Sequence, residues 1–317
     1  MNIRYCVVLL SVCCIGCAAT KYNPPQDDAD MHSIDDGSMQ KIPWAFEGDE
    51  GERFMNDVWD IRTTMKYQHI VDSLPSFYTA LLQRYSTVFG EFPLPASQMD
   101  VYLFATQEQW QSQLVKMLGR REAQHWFQLE SGGITIDGKA ILYHLDRRGR
   151  SRVTLRIAAH EGWHQYAEKI FKKPIPTWLD EGIGTWMEGF RLRRNEVQFL
   201  PASNWDRLTT LRRIVAGNRL HTLDELMNSD PSDLLETDRS TLLGYYAQLW
   251  GLVSFIIESD NGKYFPALQL ILESALQGTI QEPNQGWLFC FAEDPVEFEK
   301  EYNTWIVEYV KPGTSWR

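Results

Sequence analysis

The segment His160-Glu161-Gly162-Trp163-His164 constrains the fold of this chain more than any other. On a helix, residues four apart lie one turn apart on the same face, so His160 and His164 present two imidazoles to one point. Two imidazoles so placed suit a single tetrahedral zinc ion. Glu161 lies one residue further round the helix, beside the coordination position left open. There its carboxylate can accept a proton from water. Leu155 to Ala159 before the motif, with Tyr166, Ala167, Ile170 and Phe171 after it, predict a mostly buried helix. Two histidines and a glutamate in such a helix need partners. The motif by itself also suits two ordinary helix histidines, and what lies downstream separates the readings. Pro176-Thr177-Trp178-Leu179-Asp180-Glu181-Gly182 puts Glu181 17 residues after His164, at the start of the next helix. The linker Lys172 to Pro176 carries two prolines, which end the first helix and allow the chain to reverse. Glu181 is then the expected third ligand. Two His and one Glu leave a position for water, which is the catalytic arrangement and not the closed structural one. The alternative for Glu181 is a helix-start acid interacting with the helix dipole.

These segments resemble the gluzincin zinc metallopeptidases of the MA clan, as in the aminopeptidase N family, where HExxH is followed by Trp-Leu-x-Glu-Gly. The resemblance implies that Glu181 is the third zinc ligand and that Glu188, seven residues on, matches a further acid frequent in that family. It also implies an oxyanion-binding Tyr near the start of a later helix. Gly244-Tyr245-Tyr246-Ala247-Gln248-Leu249-Trp250 fits that segment, with Tyr246 better aligned and Tyr245 the alternative. A core aromatic is the other reading of Tyr246. The wider layout looks most like uncharacterised bacterial peptidase-MA-like lipoproteins over about Val58 to Val310, although only the three motif segments are specific. The chain departs from the aminopeptidases at one informative place. They carry a Gly-x-Met-Glu-Asn strand whose Glu holds the substrate amino terminus, whereas Gly132-Gly133-Ile134-Thr135-Ile136 contains no acid.

Around the motifs the pattern predicts an α+β chain. Val58 to Thr64 and Asp100 to Phe104 read as strands. Ile134 to Ile136 and Ala140 to Tyr143 flank Asp137-Gly138 as a hairpin. Helices are expected from about Lys66 to Phe89, Gln107 to Leu118, Arg152 to Phe171, Trp178 to Phe190, Trp205 to Ala216, Leu223 to Met227, Thr241 to Ser259, Tyr264 to Ala275 and Val296 to Val310. This gives a small mixed N-terminal lobe with a sheet and a helical C-terminal lobe. The resemblance implies a thermolysin-like zincin fold with its cleft between the lobes.

The first residues belong to no fold. Tyr5 to Ile15 is an apolar run of 11 residues, too short to span a bilayer. It follows one positive charge and precedes Gly16-Cys17-Ala18-Ala19, the layout of an export signal. Cys14-Ile15-Gly16-Cys17 resembles a bacterial lipobox, with Cys14 where Leu is usual, so Cys17 is the expected lipidation site. Ordinary cleavage after Ala19 is the competing reading. The expected organisation is 1–17 signal peptide, 18–52 polar flexible tether and 53–317 zinc hydrolase domain. Four of the five cysteines lie within the first 17 residues, which leaves Cys290 alone in the body and excludes a disulfide framework there. A net charge of -11 argues against a nucleic-acid partner, since phosphate neutralisation needs clustered Lys and Arg. The basic run Asp146 to Arg152 reads as a solvated loop.

The expectation is therefore an exported, lipid-anchored enzyme of a bacterial cell envelope, on the outer membrane or the periplasmic face. It carries one Zn2+ per chain on His160, His164 and Glu181, uses Glu161 and Tyr246 catalytically, and cuts peptide or protein substrates at internal bonds. The rivals are a non-catalytic exported lipoprotein with a structural metal site and a metal hydrolase of a non-peptide bond. His32, His69, His125, His144 and His221 show no ligand spacing.

Overall fold

A computed structural model describes residues 39–127, 132–145, 152–193, 196–229 and 239–311. The signal segment and Cys17 lie outside the described residues. The fold is mixed α+β.

Six strands form one sheet in the order β1-β2-β3-β4-β6-β5. They are β1 (Gln40–Phe46), β2 (Asp49–Met55), β3 (Trp59–Thr63), β4 (Met99–Phe104), β5 (Gly133–Ile136) and β6 (Lys139–Tyr143). The pairs β3–β4 and β4–β6 are parallel, and the others are antiparallel. Parallel neighbours need crossovers. Helices α1 (Gln68–Val71) and α2 (Leu74–Thr87) supply the first, and α3 (Gln107–Leu118) and α4 (Arg120–Trp126) lie within the second. Alternation along β4 gives the sheet two apolar faces. Val101 and Leu103 join the main core with α2, while Phe104 joins Trp110, Leu114, Ile141 and Tyr143 in a smaller core. The predicted Asp137-Gly138 hairpin is present, with both residues at positive φ (50° and 66°), as a two-residue turn of this kind requires.

Two expectations are corrected here. The tether stops short of residue 52, because β1 and β2 pair with each other and extend the sheet from β3. Their charged faces are mostly exposed, and of β1 and β2 only Phe46 and Phe54 are buried, so composition reads as solvated chain. Pro43 is tolerated because β1 is an edge strand. The long helix predicted from Lys66 to Phe89 is two helices. Pro75 has no N–H for the carbonyl of Val71, and the chain restarts at Leu74.

The C-terminal part comprises α5 (Arg152–Ile170), α6 (Thr177–Met187), the hairpin β7 (Phe190–Arg193) and β8 (Glu196–Phe199), then α7 (Trp205–Ala216), α8 (Leu223–Asn228), α9 (Arg239–Glu258), α10 (Phe265–Gln277) and α11 (Pro295–Tyr309). Helix α6 therefore ends before Phe190, which opens a strand. The main core runs from Phe54 to Val310, so both lobes share it. Helix α9 is long and apolar enough to cross a membrane by length and composition. Leu249, Trp250, Leu252, Val253 and Ile256 are nonetheless wholly buried in this core, and α9 packs on α6, α7 and α11 as a central helix.

Candidate metal centre

Helices α5 and α6 pack against each other, and α9 packs across α6. Two glycines allow this close approach. A Cβ at Gly182 would sit 2.7 Å from the Val253 side chain, and one at Gly184 would press on the His160 ring at 3.1–3.2 Å.

The helix spacing and the chain reversal bring His160, His164 and Glu181 together. One ligand atom from each lies within 4.8 Å of the others, and this is the group among the described residues able to hold a metal. Glu181 Oε2 lies 3.2 Å from His160 Nε2 and 3.6 Å from His164 Nε2. Ligand bonds of zinc length in a tetrahedron hold neighbouring ligand atoms about 3.4 Å apart, so the donor types and the two separations from Glu181 fit that ion.

The other nitrogen of each imidazole faces a second carboxylate. His160 Nδ1 is 3.2 Å from Glu188 Oε1, and His164 Nδ1 is 2.9 Å from Asp180 Oδ2. A carboxylate on Nδ1 orients the ring and keeps the Nε2 lone pair toward the metal position. Glu188 is held in turn by Arg207, which donates from Nη2 to Oε1 (2.8 Å) and from Nε to Oε2 (3.1 Å), and by Asn204 Nδ2 at 3.0 Å. Asp180 accepts from the indole N–H of Trp163 at 2.8 Å. Glu188 matches the further acid expected from the resemblance. Asp180, Arg207 and Asn204 are not among the expected site residues.

Burial alone would discharge these groups, but their partners prevail. Desolvation works against a charged His160, yet Glu181 and Glu188 hold its pKa up to about 9. His164 is likewise raised by Asp180 and Glu181 against the effect of burial. Burial disfavours the Glu188 anion, but Arg207 and His160 pull it down to about 2. Glu181 is lowered by the two histidines despite its burial.

Glu161 is buried beside His160, and its Oε2 lies 2.9 Å from the hydroxyl of Thr135 on β5. Of the two tyrosines, Tyr246 faces the cluster, with its ring centroid 6.2 Å from that of His160 and the Arg207 guanidinium over its ring at 5.4 Å. Tyr245 turns away and donates to the carbonyl of Ser229 at 3.2 Å. Burial, with Glu181 nearby, pushes the Tyr246 phenol well above its ordinary pKa, so it remains a donor at neutral pH. His69, His125, His144 and His221 do not join the cluster, and His144 Nδ1 instead lies 3.1 Å from the Thr154 hydroxyl. His32 lies outside the described residues.

A family described as a protein of unknown function (DUF1570) matches residues 155–275, a stretch that opens in α5 before His160 and extends past Tyr246 into α10. No curated protein matches the chain.

Proposed function

We propose that the chain is a zinc-dependent metallopeptidase of the gluzincin type, with a thermolysin-like arrangement of its two lobes and one zinc ion on His160, His164 and Glu181. The carrying observation is the convergence of two imidazole nitrogens and a carboxylate oxygen, each imidazole backed by its own carboxylate. A metal bound there supplies Lewis acidity toward a carbonyl oxygen and toward water. Glu161 takes a proton from the attacking water as its oxygen bonds to the carbonyl carbon, and returns that proton to the departing amine nitrogen. The protonated Tyr246 donates a hydrogen bond to the oxyanion. A purely structural metal site has no use for Glu161, which supports an enzyme.

Cleavage is read as internal. A free amino terminus is a cation, and holding it in a cleft requires a carboxylate. Strand β5 offers none, and Glu188 is already engaged by Arg207, Asn204 and His160. We also read Cys17 as lipidated after export, which places the enzyme on a bacterial envelope membrane.

Metal analysis of the purified chain, paired with a peptide-library assay, tests the function. Wild type should carry one zinc and cleave, and Glu161→Gln should keep the zinc and lose cleavage. A Glu161→Gln variant as active as wild type overturns the reading. N-acetylation of a cleaved peptide should leave the rate unchanged, and the mass of the mature N terminus should show a lipid on Cys17.

A further inference from the structure

The motif explains why Glu161 is near the metal position but not what aims its carboxylate. On a helix, a glutamate side chain has three rotatable bonds, and rotamers pointing away from the cleft are open to it. Strand β5 limits that freedom. Residues 133 and 135 lie on the same face of the strand, and that face meets α5. Gly133 permits the approach, since a Cβ there would lie 2.7 Å from Ile157 and 3.1 Å from Cγ of Glu161. With the strand seated this closely, the Thr135 hydroxyl lies 2.9 Å from Glu161 Oε2 and also 2.9 Å from the Glu161 backbone carbonyl. Both partners are acceptors, so the single hydroxyl proton is shared between the side chain and the main chain of the same residue. β5 itself is tied by antiparallel pairing to β6, with Thr135 opposite Ala140, which fixes its register.

We infer that Thr135 is a positioning residue for Glu161. Its hydroxyl restrains one carboxylate oxygen and leaves the other to face the reacting water. Gly133 is the small residue that brings this hydroxyl within reach. The inference rests on the proposed peptidase reading for its effect on rate, but not for its effect on Glu161.

The test uses the full zinc-loaded chain as wild type, Thr135→Val and Thr135→Ser. Val keeps the shape and removes the hydroxyl, and Ser keeps the hydroxyl. On an internally quenched peptide that wild type cleaves, Thr135→Val should lower kcat roughly ten- to a hundredfold. KM should stay within about twofold and zinc at one per chain, because the loss is confined to the reacting step. Thr135→Ser should restore most of kcat. Crystal structures of the three proteins should show the Glu161 carboxylate displaced in Thr135→Val alone. An unchanged kcat in Thr135→Val, failure of Ser to rescue, or an undisplaced Glu161 overturns the inference. If wild type cleaves no peptide, the peptidase reading falls, and the Glu161 position in Thr135→Val still decides the role of Thr135.

Discussion

His160 and His164 stand one helical turn apart and approach the same Glu181 oxygen, yet their far sides are built differently. Behind His160, Glu188 is nearly enclosed and sits between a two-pronged guanidinium and a buried amide. Behind His164, Asp180 keeps 29% of its side chain exposed and has one indole N–H as a further partner. The first support comes from the end of α6, the loop before α7 and α7 itself. The second comes from α6 and α5 alone. Histidines equivalent in the motif are thus unequal in the folded chain. The His160 side is coupled to the wider structure, and the His164 side is local and in partial contact with water.

Substitutions should expose that inequality. Removing a ligand has the largest effect: His160→Ala should lose most of its zinc, measured as metal per chain after gel filtration. Stoichiometric zinc in that variant would overturn the ligand assignment. Glu188→Ala should come next. It leaves Arg207, whose side chain is 18% exposed, without its anion, which costs up to about 3 kcal/mol in urea denaturation of the metal-free protein, the low end for an unpaired buried charge. It should also weaken zinc binding toward the upper end of the ten- to hundredfold range for such outer partners. Asp180→Ala should weaken zinc binding by about tenfold with a smaller loss of stability, because Trp163 is left with an unpaired N–H while His164 keeps Glu181 as its charge partner. Equal losses in these two variants would show that the two sides are equivalent after all.

The mildest probe is pH. The His160 pKa is raised from 6.5 to about 9, so the stability its proton contributes to the metal-free protein is complete below 6.5 and is lost as pH rises through about 9. The Glu188 pKa is lowered from 4.5 to about 2, so its contribution is complete above 4.5 and is lost as pH falls through about 2. From these two groups the metal-free protein should be most stable between about pH 4.5 and 6.5. On the proposed ligand set zinc displaces the His160 proton, so its apparent affinity should climb in the opposite sense as pH is raised toward about 9. Calorimetric titration of zinc at several pH values, with the released protons counted, checks this. Affinity independent of pH between 6 and 9 would remove His160 from the ligand set.

Much of the centre could be read from the chain, because its parts are local. His160, Glu161 and His164 follow from the helical period, and the return of Glu181 follows from two prolines. Asp180 has a signal in the sequence, as an acid beside the expected third ligand in the first turn of the same helix. Arg207 and Asn204 left none, since a two-stranded hairpin separates them from Glu188 and no spacing rule links them. The early strands β1 and β2 were hidden for a different reason. An edge hairpin buries little, so its composition matches that of solvated chain.

The amino-acid sequence by itself determined the local geometry: which residues share a helix face, where prolines break helices and where Asp137-Gly138 turns the chain. These follow from covalent structure and backbone sterics, which act within a few residues. Only the tertiary structure decided that Tyr246 and not Tyr245 faces the histidines, that Glu188 is pinned by Arg207, and that Thr135 reaches Glu161. Each of these depends on how far one element is rotated against another. Packing of the shared core sets that rotation, and no short stretch of sequence contains it.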